Sequence, residues 1–133
     1  MSPKYLYLNS RDSLLRLDVS HLVYFMADGN YTHIISANKV KYTIGMTLAK
    51  MQNLLTLTLE EKAKHFVRIG KSHIVNMGYI NQIDIPKQML VLSDGHTFAF
   101  KVTASKVALR KLKDLLTKNK IRLCNDKIRH SHR

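Results

Sequence analysis

Apolar and polar residues alternate one for one over most of the first hundred positions. In residues 4–8, KYLYL, Leu6 and Leu8 fall on one side with Lys4, and Tyr5 and Tyr7 on the other. Period-two alternation is the mark of a strand with one buried face. SLLRLD repeats it at 13–18 after the turn-forming stretch 9–12, which predicts a hairpin. HLVYFM (21–26) runs into the turn cluster ADGN (27–30) and then YTHIISA (31–37). Asn38 and Lys39 link that segment to VKYTI (40–44). The first third therefore reads as a meander of short strands.

The period then changes. In MTLAKMQNLL (46–55), Met46, Ala49, Met51 and Leu54, with Leu48 and Leu55, make a mixed helical stripe. Gly45 and Thr47 mark its start, with Thr47 as N-cap. TLTLEEKAK (56–64) is expected to end the helix in a loop. Alternation returns in HFVRI (65–69), where Phe66 and Arg68 share a face and Val67 takes the opposite one. GYINQIDI and MLVLSD are separated by Pro86, Lys87 and Gln88, a hairpin turn; Asp94–Gly95 is another, before a last strand in HTFAFKV (96–102). From Thr103 the spacing is helical again. Val107, Leu109, Leu112, Leu115 and Leu116 are expected on one face, with Lys106, Arg110, Lys111 and Lys113 on the other, capped by Thr103 or Ser105. The expectation is a mainly β domain over 1–117, with one short internal helix and a C-terminal helix. Residues 118–133 (KNKIRLCNDKIRHSHR) follow as a basic, flexible tail.

Charge narrows the partner class. Among 133 residues, Lys and Arg total 22 against 9 acids, a formal net charge of +13. Residues 101–133 alone hold 11 basic residues and two acids, Asp114 and Asp126. Such a chain seeks polyanions: DNA, RNA or an anionic membrane surface. The longest apolar run, residues 22–27, is six residues, against roughly 18 for a membrane helix. No apolar stretch of signal length precedes the first charges, and the single Cys124 excludes an internal disulfide. A soluble cytoplasmic protein is expected.

GKS at 70–72 ends the phosphate-binding P-loop pattern G-x-x-x-x-G-K-[ST]. His65 stands where the first glycine is required, and the β-branched Ile74 and Val75 oppose a helix start. No acidic strand end for Mg²⁺ accompanies it, so a nucleotide site is excluded and the lysine needs other work. Cys124, His130 and His132 give C-x5-H-x-H without a fourth ligand in register. There is no nucleophile elbow, no H-E-x-x-H and no tight carboxylate pair. Neither catalysis, a metal, a cofactor nor a small-molecule substrate is expected.

Three blocks resemble the LytTR family of DNA-binding domains, known as output domains of LytR/AlgR-type response regulators. LVYFMADGNYTHII (22–35) resembles the family's I-x-Y-I-E-A-x-x-N-Y stretch. Residues 48–55 resemble its S-L-x-x-L helix, with Thr47 for serine. FVRIGKSHIVN (66–76) resembles F-x-R-I-H-R-S-x-x-V-N. Ile80 and Ile83 fit I-x-x-I, and residues 92–95 fit L-x-D-G, so the likeness spans 4–116. The resemblance implies an elongated arrangement of small antiparallel sheets. It further implies that double-stranded DNA is read from inter-strand loops, with two protomers on neighbouring half-sites as a homodimer. With no receiver domain before the first strand, a free-standing regulator is expected.

The resemblance also implies the contacts. Lys71 takes the position of a basic residue that enters the DNA groove. A lysine at a strand's exit suits a phosphate or a groove edge on physical grounds too. Gly70 replaces the family's common histidine and lets the backbone approach closely. Ser72 either donates to a phosphate or closes the turn. Thr32 matches a base-reading position and offers a hydroxyl and a methyl. Around it lie Asn30, Tyr31, whose ring is expected to pack over the turn, and His33, which either faces phosphate or is structural. Arg68 has two readings, a phosphate contact or an acidic partner. Lys101 aligns with the serine of a Ser-Arg pair and Val102 with its guanine-reading arginine, so Lys101 either substitutes as donor or the third patch is lost. Asn76 is expected to cap the turn at 77–78. Lys118, Lys120, Arg122, Lys127, Arg129 and Arg133 would add salt-sensitive attraction. Two readings remain: a sequence-specific transcriptional regulator, or a LytTR-like protein-interaction module with only nonspecific DNA affinity.

Overall fold

In the computed structural model, which describes residues 4–118, the alternating stretches pair into three antiparallel sheets. Strands β1 (Tyr5–Asn9) and β2 (Leu14–Asp18) form the expected hairpin, with Leu6 opposite Leu17. Strands β3 (Leu22–Asp28), β4 (Tyr31–Ser36) and β5 (Lys41–Ile44) form the meander. Strands β6 (Phe66–Ile69) and β7 (His73–Asn76) join it on the other side, giving a five-stranded sheet of order β5-β4-β3-β7-β6. Strands β8 (Ile80–Asp84), β9 (Met89–Ser93) and β10 (Ala99–Thr103) make a three-stranded sheet. The fold is mainly β, with two α-helices, as the alternation predicted.

Both faces of the five-stranded sheet are covered. Phe25 sits opposite Ile34 on one side and Ile74 on the other, and all three point into a first core. That core is closed by Leu48, Met51, Leu55 and Leu59 of helix α1 (Leu48–Leu59) and by Leu6 and Leu17 of the hairpin. Val23, Ile69 and Val75 point the other way, into a second core with Leu90, Leu92, Phe98 and Val102 of the small sheet. Leu109 and Leu112 of helix α2 (Lys106–Thr117) complete it. Each fully buried large side chain of this kind stabilises the fold by roughly 1.5–3 kcal/mol.

Both helices start where their caps predict. Thr47 Oγ1 accepts from the Lys50 amide at 3.3 Å, and Ser105 Oγ, rather than Thr103, accepts from the Ala108 amide at 3.1 Å. Two expectations need correction. The segment TLTL does not end α1; Leu55 and Leu59 extend the buried stripe by one more turn, and residues Glu60–His65 then tighten into 3-10 turns. Leu115 and Val107 do not join the buried face of α2, being 50% and 63% exposed. At 3.6 residues per turn Val107 lies almost opposite Leu109, so Leu109, Leu112 and half-buried Leu116, with Ala108 beside them, meet the core.

Asn76 does more than cap the following turn. Its Oδ1 accepts from the Gly78 amide at 2.9 Å, as expected, and its Nδ2 donates to the Leu22 carbonyl at 2.8 Å. That carbonyl belongs to the irregular start of β3, where the register with β4 shifts between Leu22 and Tyr24. Asn76→Ala leaves the buried Leu22 carbonyl without its donor and removes the cap on the Gly78 amide. It should destabilise the domain by about 1–3 kcal/mol, read as a lower urea midpoint with an unchanged m-value.

Candidate nucleic-acid interface

Strand β3 runs antiparallel to both β4 and β7, so the turns after β3 and before β7 emerge at one end of the sheet. The first is closed by Asp28 opposite Tyr31, with Gly29 and Asn30 at its exposed tip. The second is closed by Ile69 opposite His73, with residues 70–72 between them. The Ala27 amide donates to the Ser72 carbonyl at 2.8 Å and ties the two turns together. Gly70 has φ +60°, and a Cβ there would meet nothing within 4 Å, so the glycine serves backbone conformation and leaves open space above it. Lys71 and Ser72 are exposed, and the Lys71 ammonium makes no ion pair among the described residues.

A third element arrives from the small sheet. Thr103, Ala104, Ser105 and Ala108 line a shallow cleft of about 300 Å³ whose other wall is residues 69–73. The first turn of α2 thus stands beside the Lys71 turn, and its free amides and dipole favour an anion there. Thr103 had no signal in the sequence beyond its candidacy as a cap. Only the packing of β10 against the large sheet, through Tyr24 and Phe100 with ring centroids 5.7 Å apart, brings it near Lys71.

The expected residues divide. Asn30, Gly70, Lys71 and Ser72 are exposed at the end of the sheet. Tyr31 is exposed as well; its ring edge lies beside Gly45, where a Cβ would come within 3.8 Å of it. Thr32 is a correction: it is fully buried, and its hydroxyl donates to the Met46 carbonyl at 2.7 Å, so neither hydroxyl nor methyl faces a base. In β4, Tyr31 and His33 face away from the core that Thr32 enters.

His33 has both ring nitrogens engaged, Nε2 with Asp28 Oδ2 at 2.8 Å and Nδ1 with Thr43 Oγ1 at 2.9 Å. It braces β3, β4 and β5 behind the first turn, with neither ring nitrogen left free. Arg68 likewise turns inward. Its Nη1 donates to Gln52 Oε1 at 2.8 Å and its Nη2 to the Lys71 carbonyl at 3.2 Å, so both protein partners are neutral and neither is an acid. Lys101 is exposed on β10 opposite Val91 and lies outside the cleft. Val102 is buried in the second core opposite Leu90, so its side chain is not available at the surface; its exposed neighbour, Thr103, lines the cleft. His73, at the start of β7, packs against Tyr24, and burial pushes its pKa below the ordinary histidine value. Of the tail's basic residues only Lys118 is described; Lys120, Arg122, Lys127, Arg129, Arg133, Cys124, His130 and His132 lie outside the described residues. Among the described residues no group of three His, Cys, Asp or Glu side chains could hold a metal, and no helix is long and apolar enough to cross a membrane.

A basic, mainly β domain that presents two joined turns at one end of a sheet is the class of protein this geometry defines. The sequence profile of the LytTr DNA-binding domain family matches residues 12–117, and the chain belongs to that family. The family is one of DNA-binding domains and not of enzymes. Among solved structures the chain is similar to the LytTr DNA-binding domain of a Bacillus cereus protein described as a methyl-accepting/DNA response regulator. The two share 20% identity at a TM-score of 0.61, over 86% of this chain and 98% of that one, a likeness of fold. No curated protein matches.

Two outcomes follow from the site's interior. Thr32→Val leaves the Met46 carbonyl without its donor and should cost about 1–3 kcal/mol in thermal unfolding, while Thr32→Ser, which keeps the hydroxyl, should cost less. Because the folded pKa of His73 lies below its unfolded value, the unfolded chain binds the extra proton first. Stability should therefore fall as pH drops below the ordinary histidine value of 6.5, and His73→Phe should flatten that slope in urea titrations between pH 7 and 5.

Proposed function

We propose that this chain is a sequence-specific, DNA-binding transcriptional regulator that meets duplex DNA with the turns at one end of its five-stranded sheet. The observation that carries the reading is the joining of two exposed turns, 29–30 and 70–72, by the bond from Ala27 to Ser72, with the start of α2 alongside. In a chain of net charge +13, that end is where a polyanion finds free donors on a fixed frame. Lys71 enters the groove or takes a phosphate. Ser72 and the first amides of α2 hold the backbone. Asn30 offers an amide to a base edge. Tyr31 flanks the turn, Gly70 lets the main chain come close, and Lys101 adds a more distant cation. Thr32, His33 and Arg68 act from behind, by fixing the turns. Two protomers on paired half-sites would double the contact, and the protein would work in the cytoplasm.

A second reading, an interaction module with only nonspecific DNA affinity, draws on two observations. Val102 is buried where the family's arginine would read, and Val107 and Leu115 leave apolar surface on α2.

Selection from a random duplex pool, followed by binding at about 0.15 M salt, separates the two. The regulator reading expects the selected duplex to bind at least 1,000-fold, in rough terms, more tightly than random duplex. Lys71→Ala should weaken binding to both and reduce the slope of log K against log salt by about 1. Equal affinity for selected and random duplex overturns the regulator reading.

A further inference from the structure

We propose that Gln52 is a positioning residue for the DNA-contact turn, acting through Arg68, and that it holds the Arg68 guanidinium without cancelling its charge. The inference rests on the reading of residues 70–72 as a DNA contact.

Alternation in β6 sends Arg68 to the same side as Phe66, toward α1. There its guanidinium spans two neighbours that are far apart in the chain. One is the side chain of Gln52, in the middle of α1; the other is the main chain of Lys71 itself. The turn is thereby held from both sides. On the β3 side the Ala27 amide grips the Ser72 carbonyl. On the α1 side Arg68 grips the Lys71 carbonyl. A planar fork of fixed geometry suits this bridging, whereas a lysine is a point charge without that fixed two-pronged geometry. Gly70 makes the second grip necessary, because a glycine at positive φ leaves the turn more freedom than any other residue would.

The identity of the helix partner matters as much as its place. The half-buried Arg68 has no carboxylate within ion-pair distance among the described residues, and its Nε is buried with no hydrogen-bond partner. For stability alone a glutamate at position 52 would be the better partner, since a charge-assisted pair is stronger than a neutral acceptor. It would also neutralise a cation beneath the turn that has to attract phosphate. Glutamine keeps the grip and leaves the field, so that Arg68 and Lys71 act together on one side of the site.

Two substitutions at one position separate grip from charge. Gln52→Ala breaks the grip and keeps every charge. The Lys71 and Ser72 amide signals should broaden in ¹⁵N spectra, and affinity for the selected duplex should fall about 3- to 10-fold with the salt slope unchanged. Gln52→Glu keeps the grip and cancels the charge. Its amide signals should match the parent's and its urea midpoint should stay or rise, while affinity falls by a similar factor and the salt slope drops by up to about 1. Parent-like amide signals and affinity in Gln52→Ala overturn the positioning role. Parent-like affinity and slope in Gln52→Glu overturn the charge argument. If Lys71→Ala binds DNA as the parent does, the DNA contact itself is wrong, and the amide signals of Gln52→Ala still report on the grip alone.

Discussion

Strand β3 pairs on one edge with its neighbour in sequence and on the other with β7, some fifty residues further on, and the second pairing is the one on which the site depends. Closing so long a loop costs chain entropy, and that cost is offset only once the buried contacts it permits are made. Phe25 flanked by Ile34 and Ile74 supplies the apolar part. The amide of Asn76 on the Leu22 carbonyl supplies a polar fixture at the far end of the same pair of strands. Without this pairing there are a three-stranded meander and a separate hairpin, and the turn bearing Lys71 has no fixed relation to the turn bearing Asn30.

The same sheet is a wall between two cores, and that limits what its side chains can do. A strand covered on both faces has no free side, so residues along it are claimed by packing or by internal hydrogen bonds. Thr32 and His33 illustrate the limit. One is drawn into the core and bonded to Met46, and the other is held by Asp28 and Thr43. Freedom to meet a partner exists at the strand ends, where the chain leaves the sheet. On the proposed function, a protein built this way would bind through its turns, with the sheet behind them keeping the turns in one arrangement.

Most strands were legible because period-two alternation survives wherever one side of a strand packs. Both helix starts were legible because Thr47 and Ser105 are cap residues in front of an apolar stripe. The end of α1 was not, since TLTL satisfies a strand and a helix alike and only Leu59's contact with the first core decides between them. The exposed turns could be found from glycine and neighbouring polar residues. The direction of a side chain within a covered strand could not: Thr32 differs from Tyr31 and His33 only by one step of alternation, and which step faces the core depends on where the long-range pairing sets the register. Arg68 carried no sign of its partner because Gln52 lies on a helix whose angle to the sheet no local pattern encodes. Thr103 joined the site only through the docking of the small sheet.

Val102 carries a consequence for how such a domain changes over evolutionary time. Its neighbours in β10 point outward while it points into the second core beside Leu90. An arginine at that position would place a charge among Leu90, Leu92 and Leu109, so no single codon change restores a reader there without threatening the fold. Under the proposed function, the exposed Asn30, Ser72 and Thr103 are positions where a side chain can change without disturbing a core. On that reading, target preference would diverge by exchange at such exposed positions, while the alternate letters of the same strands stay fixed by the cores.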